Sequence, residues 1–317
     1  MIARELIPLP RFAPEVEQGL LAFPKSLPSK LFYDEDGSAL FEEITGLPEY
    51  YLTRTELRIL RDKAGEMARA IGPFVTVVEL GSGTAAKTCT LLRALGRRQI
   101  RVPYYPVDIS PSALNEARER VAAECPNASV HPVIADFSEG FGFLREIPGR
   151  KLVLYLGSSI GNFDPDDAIE MLSGVRERLR PGDRLLLGTD LAKDERILLP
   201  AYDDARGITA EFNKNVLRRL NRELGADFDL NSFRHVARWN PKPSRMEIYL
   251  ESLRGQTVHV GLLGLRVRVA EGERIHTENS YKYTMRMASA TLSGAGFALE
   301  QTWFDKKKWF ALHLACA

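Results

Sequence analysis

Between Phe74 and Thr189 the chain alternates short apolar runs with helix-length amphipathic segments. That alternation restricts the fold more than any other feature of its 317 residues. Phe74–Leu80, Ile100–Asp108, Ala128–Ala135, Leu152–Leu156 and Arg184–Thr189 read as strands. Thr84–Gly96, Pro111–Glu124 and Asp166–Leu179 read as helices, the last ended by Pro181-Gly182. Such a pattern predicts an α/β fold, a parallel sheet with crossover helices on both faces. A helix over Arg54–Gly72 precedes it, with Leu57, Leu60, Ala64, Met67 and Ile71 at helical spacing. Thr53 and Glu56 read as its capping box. Downstream, Pro200–Leu224 reads as one helical stretch, and Val236–Trp239, Arg245–Leu253, Gln256–Val260 and Leu265–Val269 as antiparallel strands. Tyr283–Ser293 then reads as a helix, and Phe297–Phe304 with Trp309–Cys316 as a closing hairpin. The chain is thus expected to be an α/β domain interrupted by a β-rich insertion.

Composition excludes several classes. Hydrophobic residues make up 44% and charged residues 27%, the balance of a soluble globular protein. The 43 basic and 42 acidic side chains leave a net charge of +1, unlike a chain built to hold a nucleic-acid backbone. Apolar runs such as Leu152–Leu156 fall far short of the ~20 residues that span a bilayer. The N-terminal residues lack the apolar stretch of a secretory signal. The 3 cysteines form no CxxC and suit a reducing cytoplasm. The 5 histidines are scattered, which argues against a dedicated metal site. The expectation is a cytoplasmic monomer acting on a small molecule, without a nucleic-acid or membrane partner.

The sharpest local motif is Val77-Val78-Glu79-Leu80-Gly81-Ser82-Gly83-Thr84, where the first strand turns toward a helix. Gly81 and Gly83 allow a tight turn and close approach of a ligand to the backbone. Asp108 ends the next strand, where a carboxylate can accept both hydroxyls of a ribose. Asp136-Phe137 follows the third strand; the carboxylate suits an adenine amino group and the Phe137 N–H a ring nitrogen. Ligands of such sheets lie at the carboxyl ends of the strands, so Gly81, Asp108, Asp136 and Gly157 share one edge. Gly81-x-Gly83-x-x-Ala86 also fits a dinucleotide pattern, with Lys87 as a phosphate contact. Glu79 would face a pyrophosphate poorly. The run from Glu79 to Thr84 resembles class I S-adenosylmethionine-dependent methyltransferases, whose ligand carries a methionine tail and no phosphate. The closing hairpin resembles that class too. A nicotinamide enzyme and a non-catalytic relative of the fold are the alternatives.

Further stretches carry a narrower resemblance: Pro24-Lys-Ser-Leu-Pro-Ser-Lys-Leu-Phe-Tyr33-Asp, Leu47-Pro-Glu-Tyr50-Tyr51-Leu-Thr-Arg-Thr-Glu, Gly157-Ser-Ser-Ile-Gly-Asn162-Phe, Ala201-Tyr202-Asp-Asp, Phe212-Asn-Lys-Asn-Val-Leu and Thr277-Glu278-Asn279-Ser280-Tyr281-Lys282. Together, from about Pro24 to the C-terminus, they resemble the L-histidine Nα-methyltransferases of ergothioneine biosynthesis. The resemblance implies three methyl transfers from S-adenosylmethionine to the histidine α-amine, giving hercynine. It implies donor binding by Gly81, Lys87, Asp108, Asp136 and Phe137, near Gly157. It implies substrate binding by Tyr50, Asn162, Tyr202, Glu278 and Ser280, with Tyr33 near the methylated amine. Asn162 and Tyr202 would take the substrate carboxylate, and Glu278 and Ser280 the imidazole. Ile248 stands where the family has a methionine lining the histidine pocket, and Asn279 and Tyr281 replace less polar or smaller neighbours, so Ile248 and Asn279 would tune preference. The resemblance also implies a methyltransferase domain of residues 60–195 and 283–317. A substrate-binding lid of residues 1–59 and 196–282 would complete the chain. A macromolecular amino-methyltransferase is the alternative, but its Asn/Asp-Pro-Pro-aromatic motif is missing after the fourth strand.

Overall fold

The structure, a computed structural model, describes residues 9–136 and 139–317. The chain opens with α1 (Ala13–Leu21), α2 (Glu35–Thr45) and α3 (Tyr51–Ile71). It continues through β1 (Val75–Leu80), α4 (Cys89–Gly96), β2 (Val102–Asp108), α5 (Pro111–Glu124), β3 (Ala128–Val130), β4 (Val133–Ile134), β5 (Arg150–Tyr155), α6 (Pro165–Arg176) and β6 (Arg184–Asp190). Next come α7 (Glu195–Tyr202), α8 (Ile208–Leu224), β7 (Phe233–Asn240), β8 (Arg245–Ser252), β9 (Gln256–Val260), β10 (Leu265–Val269) and β11 (Arg274–Tyr281). The chain closes with α9 (Met285–Gly294), β12 (Ala298–Phe304) and β13 (Phe310–Cys316). These elements form two compact units, one of Leu52–Lys193 with Tyr281–Ala317, the other of the segment ending at Tyr51 with Asp194–Ser280. Among the described residues, no helix is long and apolar enough to cross a membrane.

The first of these, the sheet unit, is built on strands in the order β12-β13-β6-β5-β1-β2-β3, with β4 extending the pairing along β2. β1 runs parallel to β2 and β5, and β5 parallel to β6. β13 lies antiparallel to both β6 and β12. Successive side chains of a strand point to opposite faces, and here both faces are buried. Val77, Leu152, Leu154, Leu186 and Leu312 pack into one core with α3 and α4 residues such as Leu60, Met67 and Leu92. Val78, Val153, Tyr155, Leu185 and Leu187 pack into another with Leu172, Val175 and Leu292 of α6 and α9. All six residues of β1 are buried, the signature of a central parallel strand.

Several expected elements differ. The helix expected from Thr84 begins only at Cys89, and Ala85 sits at φ 54°, outside helical geometry. The third strand breaks into β3 and β4 on either side of His131-Pro132, because proline has no N–H to offer a ladder. The stretch expected as one helix from Pro200 to Leu224 is two, separated at Asp203–Gly207. Gly207 precedes α8 at φ 74°, and Asp204 receives the first N–H groups of that helix, from Ile208 at 3.1 Å and Thr209 at 2.7 Å.

In the second unit, α8 buries Phe212, Asn213, Val216, Leu217, Leu220 and Leu224 along one stripe. It packs on α2, β7, β8 and β9. β7 and β8 pair antiparallel, and β11 lies on the other side of β8. β9 and β10 form a separate hairpin. A buried polar chain ties these parts together. His235 Nε2 lies 2.8 Å from the Tyr202 carbonyl, and His235 Nδ1 lies 2.9 Å from Asn213 Nδ2. A carbonyl can only accept, so Nε2 carries the proton and Nδ1 accepts from the amide. Asn213 Nδ2 also donates to the Tyr249 carbonyl at 2.9 Å, and Asn213 Oδ1 accepts the Thr277 hydroxyl at 2.8 Å. Asn213→Leu leaves the His235 nitrogen and the Tyr249 carbonyl without this donor. The substitution is expected to destabilise the protein by about 1–3 kcal/mol in urea denaturation; a neutral result would mean the chain is dispensable.

Candidate active site

In the sheet unit, β1 ends at Leu80 and the chain turns through Gly81 at φ 66° and Gly83 at φ 50°, the left-handed region that favours glycine. Nothing lies within 4 Å of where a Cβ on either glycine would stand, so the backbone of the turn is open to a ligand. The turn is pinned to β2. The Gly81 and Ser82 N–H groups donate to the Val107 carbonyl at 2.8 and 3.1 Å. Gly83 N–H donates to Asp108 Oδ2 at 3.0 Å, and Ser110 N–H to Asp108 Oδ1 at 3.0 Å. Each oxygen keeps a further lone pair, which leaves the half-buried carboxylate able to accept ribose hydroxyls. Asp136, half-buried, follows β4 on the far side of β2; Phe137 lies outside the described residues.

Lys87 precedes α4, and its ammonium donates to Glu56 Oε2 at 2.5 Å. The same carboxylate accepts the Gly157 N–H, at 2.9 Å to Oε1 and 3.1 Å to Oε2. Glu56 has 0% of its surface exposed. The capping box expected of it does not form, because α3 begins at Tyr51 and both Thr53 and Glu56 lie inside the helix. Asn162 closes a 3-10 turn, Ser159–Asn162, beyond β5. Asp164 stands at the cap position of α6 but takes the Tyr281 hydroxyl at 2.9 Å rather than a helix N–H. Glu79 is buried beneath the glycine turn, where Thr88 donates to it at 2.6 Å and Tyr104 donates to its other oxygen. Burial pushes its pKa up to about 7, against the pull of those two donors and the charge of Lys87.

In the second unit, Tyr33 follows a 3-10 turn, Ser29–Phe32, and keeps 38% of its surface exposed. Its ring meets Phe41 and Phe212 edge-on, each at 5.7 Å between centroids. Phe41 meets Tyr50 at 6.1 Å, so Tyr33 and Tyr50 belong to one aromatic cluster. Asp34 caps α2 by accepting Gly37 N–H at 2.8 Å, and Asn215 Nδ2 donates to it at 2.7 Å, which anchors the backbone beside Tyr33. Tyr202 ends α7, and its hydroxyl lies 2.8 Å from Ser280 Oγ, both residues being buried. Glu278, Asn279 and Ser280 lie consecutively near the end of β11, where the alternation of buried and part-exposed positions breaks down. Asn279 Oδ1 lies 2.9 Å from His276 Nε2. Ile248 is buried in β8, and its carbonyl accepts the Thr277 hydroxyl at 3.1 Å.

Glu56, Phe41 and His235 were not singled out as site residues from sequence. Glu56 had a signal: it shares the buried stripe of α3 with Leu52, Ile59 and Leu60, where a carboxylate must find a partner. Phe41 and His235 had none, since their partners come from distant segments.

A parallel sheet closed by an antiparallel hairpin, with an open glycine turn and a carboxylate at adjacent strand ends, is the α/β fold of the S-adenosylmethionine-dependent methyltransferases. Those groups fit a nucleoside bearing an amino-acid tail. Within that class, the chain belongs to the family described as "Histidine-specific methyltransferase, SAM-dependent", whose profile matches residues 12–317. It is 47% identical over 301 residues to the histidine N-alpha-methyltransferase of Mycolicibacterium smegmatis, covering 95% of this chain and 93% of that one. It is 46% identical over 303 residues to the Mycobacterium tuberculosis protein of the same name, covering 95% and 93%. The 4-dimethylallyltryptophan N-methyltransferase of Epichloe festucae var. lolii is 29% identical over 325 residues, covering 92% of this chain and 90% of its own.

Glu79 provides a test of the electrostatics beneath the glycine turn. Its carboxyl binds a proton more tightly in the fold, with a pKa of about 7, than at its ordinary 4.5. The resulting stabilisation is full below pH 4.5 and is lost as the pH rises toward 7. Glu79→Gln should therefore flatten the decline in stability across that window, by up to about 3 kcal/mol in urea denaturation. Parallel curves for the two proteins would show that Glu79 titrates normally.

Proposed function

We propose that this chain transfers three methyl groups in succession from S-adenosylmethionine to the α-amine of L-histidine, forming hercynine in ergothioneine biosynthesis. The structural observation that carries the substrate reading is the buried bond between the Tyr202 hydroxyl and Ser280 Oγ, at 2.8 Å, with Glu278 two residues before Ser280 in β11. A carboxylate accepts one imidazole N–H, and a hydroxyl serves the other ring nitrogen in either role. A site built on such bonds rejects side chains that leave its polar groups unpaired. In this reading Ile248 and Asn279 adjust the preference among amino acids, Tyr50 helps seat the substrate, and Tyr202 and Asn162 offer donors to its carboxylate.

For the donor, the reading assigns the open turn at Gly81, the Lys87 ammonium, and the carboxylates of Asp108 and Asp136, with Phe137 and Gly157 completing the set. The bound donor supplies an activated methyl on a sulfonium, so the protein's own task is chiefly orientation, worth up to ~7–11 kcal/mol. The nitrogen must arrive with a free lone pair. An α-amino group titrates near ~8 in a peptide and higher in a free amino acid, whose own carboxylate stabilises the cation. A proton must therefore leave before each transfer, and the part-exposed Tyr33 hydroxyl is the group assigned to relay it. The rings of Tyr33, Phe41 and Tyr50 offer π faces to an ammonium that gains methyl groups, at ~0.5–2 kcal/mol per well-placed ring.

The likeness to a 4-dimethylallyltryptophan N-methyltransferase favours one second reading, a donor-dependent enzyme for a different amino acid. Incubating the protein with S-adenosylmethionine and a panel including histidine and tryptophan, with mass-spectrometric readout, separates the two. Trimethylhistidine is the expected product. A product from another amino acid alone would move the specificity to Ile248 and Asn279. Glu278→Ala should lower histidine turnover at least roughly tenfold, the scale of losing a hydrogen bond to a charged group. Unchanged histidine kinetics would remove Glu278 from imidazole recognition.

A further inference from the structure

We infer that Glu56 is a positioning residue for the amino-acid end of the methyl donor, acting through Lys87 and Gly157. The inference rests on the donor assignment above and adds to it a group with no exposed surface of its own. One carboxylate joins the loop after β1, through the Lys87 ammonium at 2.5 Å, to the loop after β5, through the Gly157 N–H at 2.9 and 3.1 Å. Lys87 lies close to Gly157: a Cβ on that glycine would stand 3.4 Å from Lys87 Nζ. The space for the carboxylate is itself a feature of the fold. A Cβ at Gly188 of β6 would come within 2.5 Å of Glu56 Oε1.

The chemistry follows from donor counting. An ammonium has three protons. Glu56 takes one and fixes the direction of the other two, which are available to the carboxylate of the donor's methionine tail. Lys87 keeps 24% of its side chain exposed, whereas Glu56 keeps none. Holding the Gly157 N–H fixes that peptide in the second loop. Glu56 thereby ties together the two loops that leave the paired strands β1 and β5, while remaining covered itself. Its neighbour Glu79 lies near enough for the Glu56 charge to raise its pKa. A second carboxylate beneath the same turn makes the Lys87 ammonium the neutralising charge for both.

The test is ligand selectivity, read by isothermal titration calorimetry with S-adenosylhomocysteine, which has the amino-acid end, and 5′-methylthioadenosine, which lacks it. Glu56→Gln should weaken S-adenosylhomocysteine binding about tenfold or more and leave 5′-methylthioadenosine within about threefold. Lys87→Met should show the same selectivity, and the double variant should be little worse than Lys87→Met alone. In steady-state assays the KM for S-adenosylmethionine should rise while kcat at saturation holds. Glu56→Asp retains the charge and should recover part of the lost affinity; it also serves if Glu56→Gln does not fold. Equal losses for both ligands, or unchanged S-adenosylhomocysteine affinity, would overturn the inference. Failure of the unmodified protein to bind either ligand would instead overturn the donor assignment, and this inference with it.

Discussion

Covering both faces of a parallel sheet with apolar side chains confines its chemistry to the strand ends. In β1, all six residues are buried, and alternate side chains feed separate cores. No polar group can act from the middle of such a strand without losing its hydration. The groups that can meet a ligand therefore emerge where β1, β2 and β5 stop, at Gly81, Asp108 and Gly157. Glu79, the last charged residue before the edge, shows the cost of being one step too early. It lies under the turn, holds its proton unusually tightly, and needs Thr88 and Tyr104 as donors.

The sequence disclosed most of what depends on periodicity. The parallel strands, the closing hairpin and α5 follow from apolar runs and turn residues a few positions apart. Boundaries failed where the deciding partner was remote. Nothing local announces that Ala85 leaves helical geometry, since the Ser82-to-Ala85 turn is shaped by its attachment to β2. The split between α7 and α8 depends on Asp204 accepting two helix N–H groups, and acidic residues are equally common on exposed helix faces. β11 escaped because half its faces are polar, and polar alternation is weak evidence of a strand.

The candidate residues divide in the same way. Gly81 and Asp108 are legible from position alone, because strand ends of this fold gather ligands. Tyr33, Tyr50, Tyr202, Glu278 and Ser280 were reached through family resemblance, and spacing would never have joined Tyr202 to Ser280 across 78 positions. Glu56 was visible but misread: a carboxylate three residues after a threonine satisfies the capping pattern, whereas its burial depends on Lys87 and Gly157, far away in sequence. A charged residue on an apolar helical stripe is better read as half of an unseen pair.

The single tautomer of His235 has a consequence for acid. With Nε2–H committed to the Tyr202 carbonyl, a second proton could enter only at Nδ1, where it would confront the N–H of Asn213. The amide cannot turn round without taking its N–H away from the Tyr249 carbonyl. Burial already holds this ring's pKa below its ordinary value. The α7–β7–α8–β11 assembly thus behaves as a one-proton circuit: its polarity runs in a fixed direction, from amide to ring to carbonyl, and any change of charge must break the circuit before it can be accommodated.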